Sequence, residues 1–157
     1  MVKVYHYTSK EGYEAIKKSK MIKASRGQGG RDIACGEGVY FTSLAPKNRT
    51  KQEIALNNYD GTTANTGMLD KVAFWFEFDI PEGQVIDFTA NMGRSVWVLP
   101  NKDLTFDDYP PCNQGDFNSF TKMPSKMPAS ETELLGLLIA LGLGQGAVFL
   151  SKLAARQ

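Results

Sequence analysis

The segment VAFWFEFDI, Val72 to Ile80, most constrains what this chain can fold into. Val72, Phe74, Phe76 and Phe78 fall on one face, and Ala73, Trp75, Glu77 and Asp79 on the other. A period of two with this aromatic content predicts a β-strand. Its phenylalanine face must be covered by a second layer. The turn PEG follows, and QVIDF reads as the hairpin partner of the strand.

Other strands are shorter. Val2 to Tyr7 is β-branched and aromatic, Met21 to Ala24 is extended, Val39 to Thr42 is a short strand, and SVWVLP is stopped by Pro100. Thr8-Ser9-Lys10-Glu11 matches a capping box in which Thr8 caps the amide of Glu11. A helix over Ser9–Ser19 follows, with Tyr13 and Ile16 inward. A second helix is centred on KQEIALNNY, and DGTTANTGMLD reads as a polar loop. The order is two short helices early, then mostly antiparallel strands. That is an α+β pattern without the alternation of a parallel nucleotide-binding sheet.

The pattern divides the chain into a body at 1–110, a linker at 111–130 and an apolar C-terminal helical segment at 131–157, opened by a capping box at Ser130 and Glu133. Within the last segment, Leu134 to Leu150 carries no charge and one polar side chain, Gln145. One reading is a membrane anchor at the short end of spanning length. The other is a buried helix, or a helix followed by a strand; four glycines favour a break in water.

Formal charge is +1, from 18 basic and 17 acidic residues, so no long-range field for capturing nucleic acid is expected. Two cysteines, Cys35 and Cys112, are too few for a disulfide scaffold and fit no metal-knuckle spacing. With no signal-peptide run at the N-terminus, an intracellular, cytoplasmic setting is expected, membrane-associated only if 134–150 is an anchor. GLGQGA follows a helix-like run and lacks a downstream βαβ unit, which excludes a dinucleotide fingerprint. GQGGRD lacks the phosphate-loop lysine. A single histidine, His6, rules out a histidine-rich metal site, and no metal is expected.

What stands out is YHYTS taken with GEGVYFTS. A strand histidine sits beside a capped helix, and about 30 residues later two glycines lead into an aromatic strand. Gly36 and Gly38 permit a tight turn and close backbone approach. Tyr40 and Phe41 point to opposite faces, so one can pack while the other faces a cleft.

In these motifs, YHYTSKEGYEAIKKSKMIKAS and GEGVYFTSLAP, the chain resembles the ADP-ribosyltransferases of the diphtheria-toxin and poly(ADP-ribose) polymerase clan. It is closest to the small toxin-type branch named for its HYD signature. The close match covers about residues 3–46, with a looser one through VAFWFEFDIP, QVIDF and GRSVWVLPN. The resemblance implies two packed, mostly antiparallel sheets with two short helices near the N-terminus. It implies NAD as substrate, nicotinamide release, and transfer of ADP-ribose to a protein or nucleic-acid acceptor. His6 would hold the adenosine-side ribose. The backbone of Tyr7 would hold the nicotinamide carboxamide, with Thr8 beside it. Tyr40 would stack on the cationic nicotinamide ring. Phe41, Thr42 and Ser43 would close the pocket, and Gly36 and Gly38 would allow close approach.

Active relatives place a glutamate at the start of a late strand. Here that position falls near Arg94 or Ser95, and neither is acidic. Ser95, Arg94 and Glu77 are therefore the candidates for the remaining catalytic role, Asp87 is a further carboxylate to consider, and Arg94 is also a candidate NAD contact. Three readings stand beside the transferase: a module that binds NAD or ADP-ribose without turnover, an NAD hydrolase, and a membrane-anchored interaction protein.

Overall fold

The computed structural model describes residues 1–27, 34–59 and 66–117. The expected apolar segment at 131–157, its capping box at Ser130 and the linker beyond residue 117 lie outside the described residues. Among the described residues, no helix is long and apolar enough to cross a membrane.

The elements in chain order are β1 (Val2–Thr8), α1 (Lys10–Ser19), β2 (Met21–Ile22), β3 (Gly38–Phe41), α2 (Lys51–Asn58), α3 (Thr66–Asp70), β4 (Phe74–Ile80), β5 (Ile86–Asp87), α4 (Thr89–Met92), β6 (Trp97–Pro100), β7 (Leu104–Thr105) and β8 (Asn113–Asp116). They build two three-stranded sheets, β1-β4-β8 and β3-β6-β5, with a small pair β2-β7. Every pairing is antiparallel. The α+β class, with mostly antiparallel sheets and short helices, is therefore as expected.

The β1–β4 register sets Val4 opposite Phe78, His6 opposite Phe76 and Tyr7 opposite Trp75. Directly opposed residues share a face. Val4, Phe76, Phe78 and Ile80 therefore enter one core, with Tyr13 and Ile16 of α1, Val39 and Phe41 of β3, and Leu99 of β6. Phe76 is fully buried, and truncating it to alanine would cost about 3–5 kcal/mol. The opposite face is also covered: Tyr5, Tyr7 and Trp75 pack with Ile54, Ala55 and Phe117. Val72 joins this second cluster, not the Phe74 face, because the strand starts at Phe74 and Val72 lies in the turn before it.

Four local expectations are corrected. QVIDF is not the hairpin partner of β4: a 3₁₀ turn at Glu82–Gln84 redirects the chain, and Ile86 and Asp87 pair with Val98 and Trp97 of β6. The expected linker begins with a strand, since β8 pairs with β4 and the folded unit runs past residue 110. The polar loop ends in α3. Ser9, not Thr8, caps α1, its Oγ accepting from the Gly12 N–H at 3.2 Å; Thr8 remains in β1 opposite Phe74. A full capping box occurs instead at α2. There Thr50 Oγ1 accepts from the Glu53 N–H, and the Glu53 carboxylate accepts from the Thr50 N–H.

Gly38 is required where β3 meets β6. A Cβ there would stand 2.4 Å from the Leu99 carbonyl oxygen and 2.7 Å from Val98 Cγ1.

Candidate active site

The two large sheets touch along β1 and β3 through one bridge. Tyr5 N–H donates to the Thr42 carbonyl at 2.8 Å, and Thr42 N–H donates back at 3.0 Å. Beyond that bridge β1 and β3 separate, and a cavity of about 180 Å³ opens between them. His6 and Tyr7 line one wall and Tyr40 and Phe41 the other. The end of α2 (Asn57, Asn58, Tyr59) and the segment before β6 (Arg94, Ser95, Val96) also line it. Small-molecule pockets usually run to about 300–1,000 Å³. This cavity is smaller than that range.

The alternation of an antiparallel ladder determines which way the Tyr7 main chain faces. Tyr5 uses its N–H and C=O on the β3 side, so Tyr7, two residues on, presents its own on that side too. There β3 no longer pairs with β1, and the Tyr7 amide and carbonyl edge the gap. The Tyr7 side chain is turned into the second core: its hydroxyl donates to the Leu44 carbonyl at 2.8 Å and its ring stacks on Phe117. Burial pushes its phenol pKa well up.

His6 Nδ1 lies 3.0 Å from the Tyr40 carbonyl oxygen. A carbonyl only accepts, so Nδ1 carries the proton and Nε2 is left as an acceptor. Burial holds the imidazole pKa below its ordinary value, outweighing the Tyr40 carbonyl, and the ring is neutral near pH 7. Its ring also packs edge-on to Phe41 at 6.1 Å.

Tyr40 is fixed at its far end. Its hydroxyl donates to the Gly36 carbonyl at 2.6 Å and accepts from the Cys35 N–H at 3.2 Å. Gly36 has φ +88°, a left-handed conformation that glycine adopts without strain. The two glycines of GEGVYF therefore serve the aromatic wall, Gly36 by presenting its carbonyl to Tyr40 and Gly38 by allowing β6 to approach. Neither lines the cavity, nor do Thr8, Thr42 or Ser43. Thr42 and Ser43 stand just behind it. Ser43 N–H donates to Ser95 Oγ at 2.8 Å, and the two serine hydroxyls are 2.8 Å apart.

Ser95 and Arg94, from the segment before β6, both line the cavity. Glu77 does not. It lies on the Tyr5 side of β4, paired with Lys3 Nζ at 2.5 Å, and Lys3 also reaches Asp79 at 3.3 Å. Glu77, expected as a candidate for the remaining catalytic role, does occupy the face opposite the phenylalanines, but that face points away from His6 and the cavity. Asp87 accepts from the Thr89 N–H at 2.8 Å and is not part of the lining either. Among the described residues, no carboxylate lines the cavity.

Asn57, Asn58 and Tyr59 were not singled out in the sequence. The available signal was a polar residue at helical spacing from buried ones: Asn57 is three residues beyond Ile54, and Asn58 three beyond Ala55, both fully buried. Cys35 and Ser25 border the cavity with no local signal of that kind.

No curated protein and no solved structure matches the chain. The sequence profile of the family Tox-ART-HYD1, described as "HYD1 signature containing ADP-ribosyltransferase", matches residues 4–108. That span contains His6, Tyr40, Ser95 and the whole parted junction of β1 and β3, and the chain belongs to this family of ADP-ribosyltransferases.

Proposed function

We propose that the chain is a mono-ADP-ribosyltransferase that takes NAD as substrate, releases nicotinamide and transfers ADP-ribose to a macromolecular acceptor. The observation that carries this reading is the parting of β1 and β3 beyond the Tyr5–Thr42 bridge. It leaves a peptide edge at Tyr7, a neutral imidazole with a free acceptor nitrogen, and an anchored tyrosine ring around one cavity.

Each group suits one part of the dinucleotide. The Tyr7 N–H and C=O match the acceptor and donor of a carboxamide. The Tyr40 ring offers its face to a cationic pyridinium. His6 Nε2 accepts from a ribose hydroxyl. Phe41, partly behind His6, keeps the imidazole in place. Nicotinamide departs as a neutral base, taking the electron pair of the glycosidic bond, and the ribose passes through an oxocarbenium-like state. A nucleophile on the acceptor then bonds to the anomeric carbon and gives up its proton. Ser95 Oγ, held against Ser43, supplies hydrogen-bonding oxygen beside the cavity. Arg94 brings positive charge suited to the phosphates.

The cavity lining among the described residues contains no carboxylate, and that observation favours a second reading: a module that binds NAD or ADP-ribose without turnover. Hydrolysis of NAD, with water as the acceptor, is the enzymatic variant of the first. Purified full-length chain is incubated with NAD, and nicotinamide, free ADP-ribose and labelled acceptor are measured. Nicotinamide with labelled acceptor supports transfer, and nicotinamide with only free ADP-ribose supports hydrolysis. A rise in Tm with NAD but no nicotinamide supports the binding module. Failure of His6→Ala and Tyr40→Ala to alter any of these refutes the site.

A further inference from the structure

Asn57, in the last turn of α2, makes more polar contacts than a helix terminus needs. Its Oδ1 accepts from the Ser95 N–H at 2.9 Å, and its Nδ2 donates to the Ser95 carbonyl at 3.0 Å. The side-chain amide thus treats Ser95 as a neighbouring strand would, satisfying both main-chain groups of a residue that is only 9% exposed. The same Nδ2 lies 3.3 Å from Thr42 Oγ1 and 2.9 Å from Asn58 Oδ1, so its two hydrogens are shared among three oxygens. The Asn57 main-chain carbonyl accepts from Arg94 Nη1 at 2.6 Å.

These bonds converge on the segment before β6. β3 and β6 pair from Gly38–Pro100 to Phe41–Trp97. Beyond Phe41 the Ser43 N–H turns to Ser95 Oγ, a side-chain oxygen. The place of Ser95 Oγ beside the cavity is therefore set by Ser43 from β3 and by Asn57 from α2. Helix α2 is itself secured by Ile54 and Ala55 in the second core.

We propose that Asn57 is a positioning residue of the cleft, one that acts through Ser95 and Arg94 to hold them at the reacting end of the dinucleotide. This rests on the reading of the chain as an enzyme that cleaves NAD. The hydrogen bonds of Asn57 run to Thr42, Asn58, Ser95 and Arg94, on the side of the cavity away from the proposed ribose and nicotinamide contacts, so it governs the chemical step more than NAD affinity.

The test uses the full chain with Asn57→Ala, Asn57→Asp and a control, Thr50→Ala. Asn57→Asp keeps the volume and the acceptor for the Ser95 N–H, but puts an oxygen against the Ser95 carbonyl. Thr50→Ala removes the capping box at the other end of the same helix and touches nothing in the cleft. Nicotinamide release at varied NAD gives kcat and KM, and Tm is measured for each variant. In both Asn57 variants kcat falls about tenfold or more, with KM for NAD within about threefold. Thr50→Ala lowers Tm but leaves kcat within about twofold. Asn57 variants that match the wild-type kcat overturn the proposal. So does a Thr50→Ala chain that loses as much kcat as they do, because helix stability would then explain both. A wild-type chain that releases no nicotinamide refutes the parent reading and the positioning role with it. That result is distinct from failure of Asn57 alone, in which the wild type turns over and the variants match it.

Discussion

Replacing Tyr40 by phenylalanine and by alanine separates what its hydroxyl does from what its ring does. The hydroxyl makes two hydrogen bonds, to the Gly36 carbonyl and from the Cys35 N–H, and neither partner belongs to the ligand. Each is worth about 0.5–1.5 kcal/mol net, and water replaces part of that in a half-exposed turn. Tyr40→Phe therefore costs about 1 kcal/mol of stability, a fall in Tm of about 4 °C. The aromatic face remains, so Kd for NAD stays within about threefold. Tyr40→Ala loses the face as well. A cation over an aromatic ring contributes about 0.5–2 kcal/mol, and lost apolar contact adds to it. A total of about 2 kcal/mol corresponds to about 30-fold weaker binding. Calorimetric titration with NAD gives Kd, and thermal melts without ligand give Tm. If Tyr40→Phe weakens NAD as much as Tyr40→Ala, the ring is not the stacking surface and the assignment of Tyr40 fails.

The lowered pKa of His6 gives a signed pH dependence. The unfolded histidine takes up a proton below about pH 6.5 while the folded one resists, so its stabilising contribution is complete above that pH. It is lost as pH falls towards the folded value, with a slope of at most about 1.4 kcal/mol per pH unit, and His6→Asn should remove that limb from a urea-melt series. NAD affinity should be flat above pH 6.5 and weaken once Nε2 is protonated; binding that strengthens in acid would contradict a ribose-accepting nitrogen. Glu77→Gln should leave nicotinamide release within about twofold, since Glu77 faces Lys3 outside the cavity; a loss of a hundredfold would return it to the site. Gly38→Ala should destabilise by about 1–3 kcal/mol, because its Cβ meets the Leu99 backbone, and a wild-type Tm would show that β3 and β6 approach less closely than described.

His6, Tyr40 and the strand that carries Phe76 were legible because their signals are local. A strand period, a glycine beside an aromatic and a histidine among tyrosines are each complete within ten residues. The register of QVIDF was not legible. A hairpin and a crossover begin with the same proline and glycine, and the Glu82–Gln84 turn decided between them. β8 was missed because NQGD lacks every apolar mark of a strand. It is held by its main-chain ladder to β4, and Gly115 lies close against the Trp75 ring. Glu77 and Asn57 show the same limit at the site. Periodicity placed Glu77 on one of two faces, but only the pairing of β4 with β1 tells which face meets the cleft. Asn57 acts through a residue 38 positions away, and no local pattern encodes that contact.

The bond from His6 Nδ1 to the Tyr40 carbonyl crosses between the two walls of the cavity. It is a gauge of the gap as well as a tie. While the walls stand at this spacing, the proton is confined to Nδ1 and Nε2 keeps its lone pair. If β3 swings outward by more than a hydrogen-bond length, the imidazole loses the partner that chose its tautomer, and the proton is free to sit on either nitrogen. The width of the mouth and the polarity of the histidine are thus one variable. On the proposed reading, a ligand wedging the walls apart would weaken the ribose acceptor, and NAD would have to enter without opening the strap.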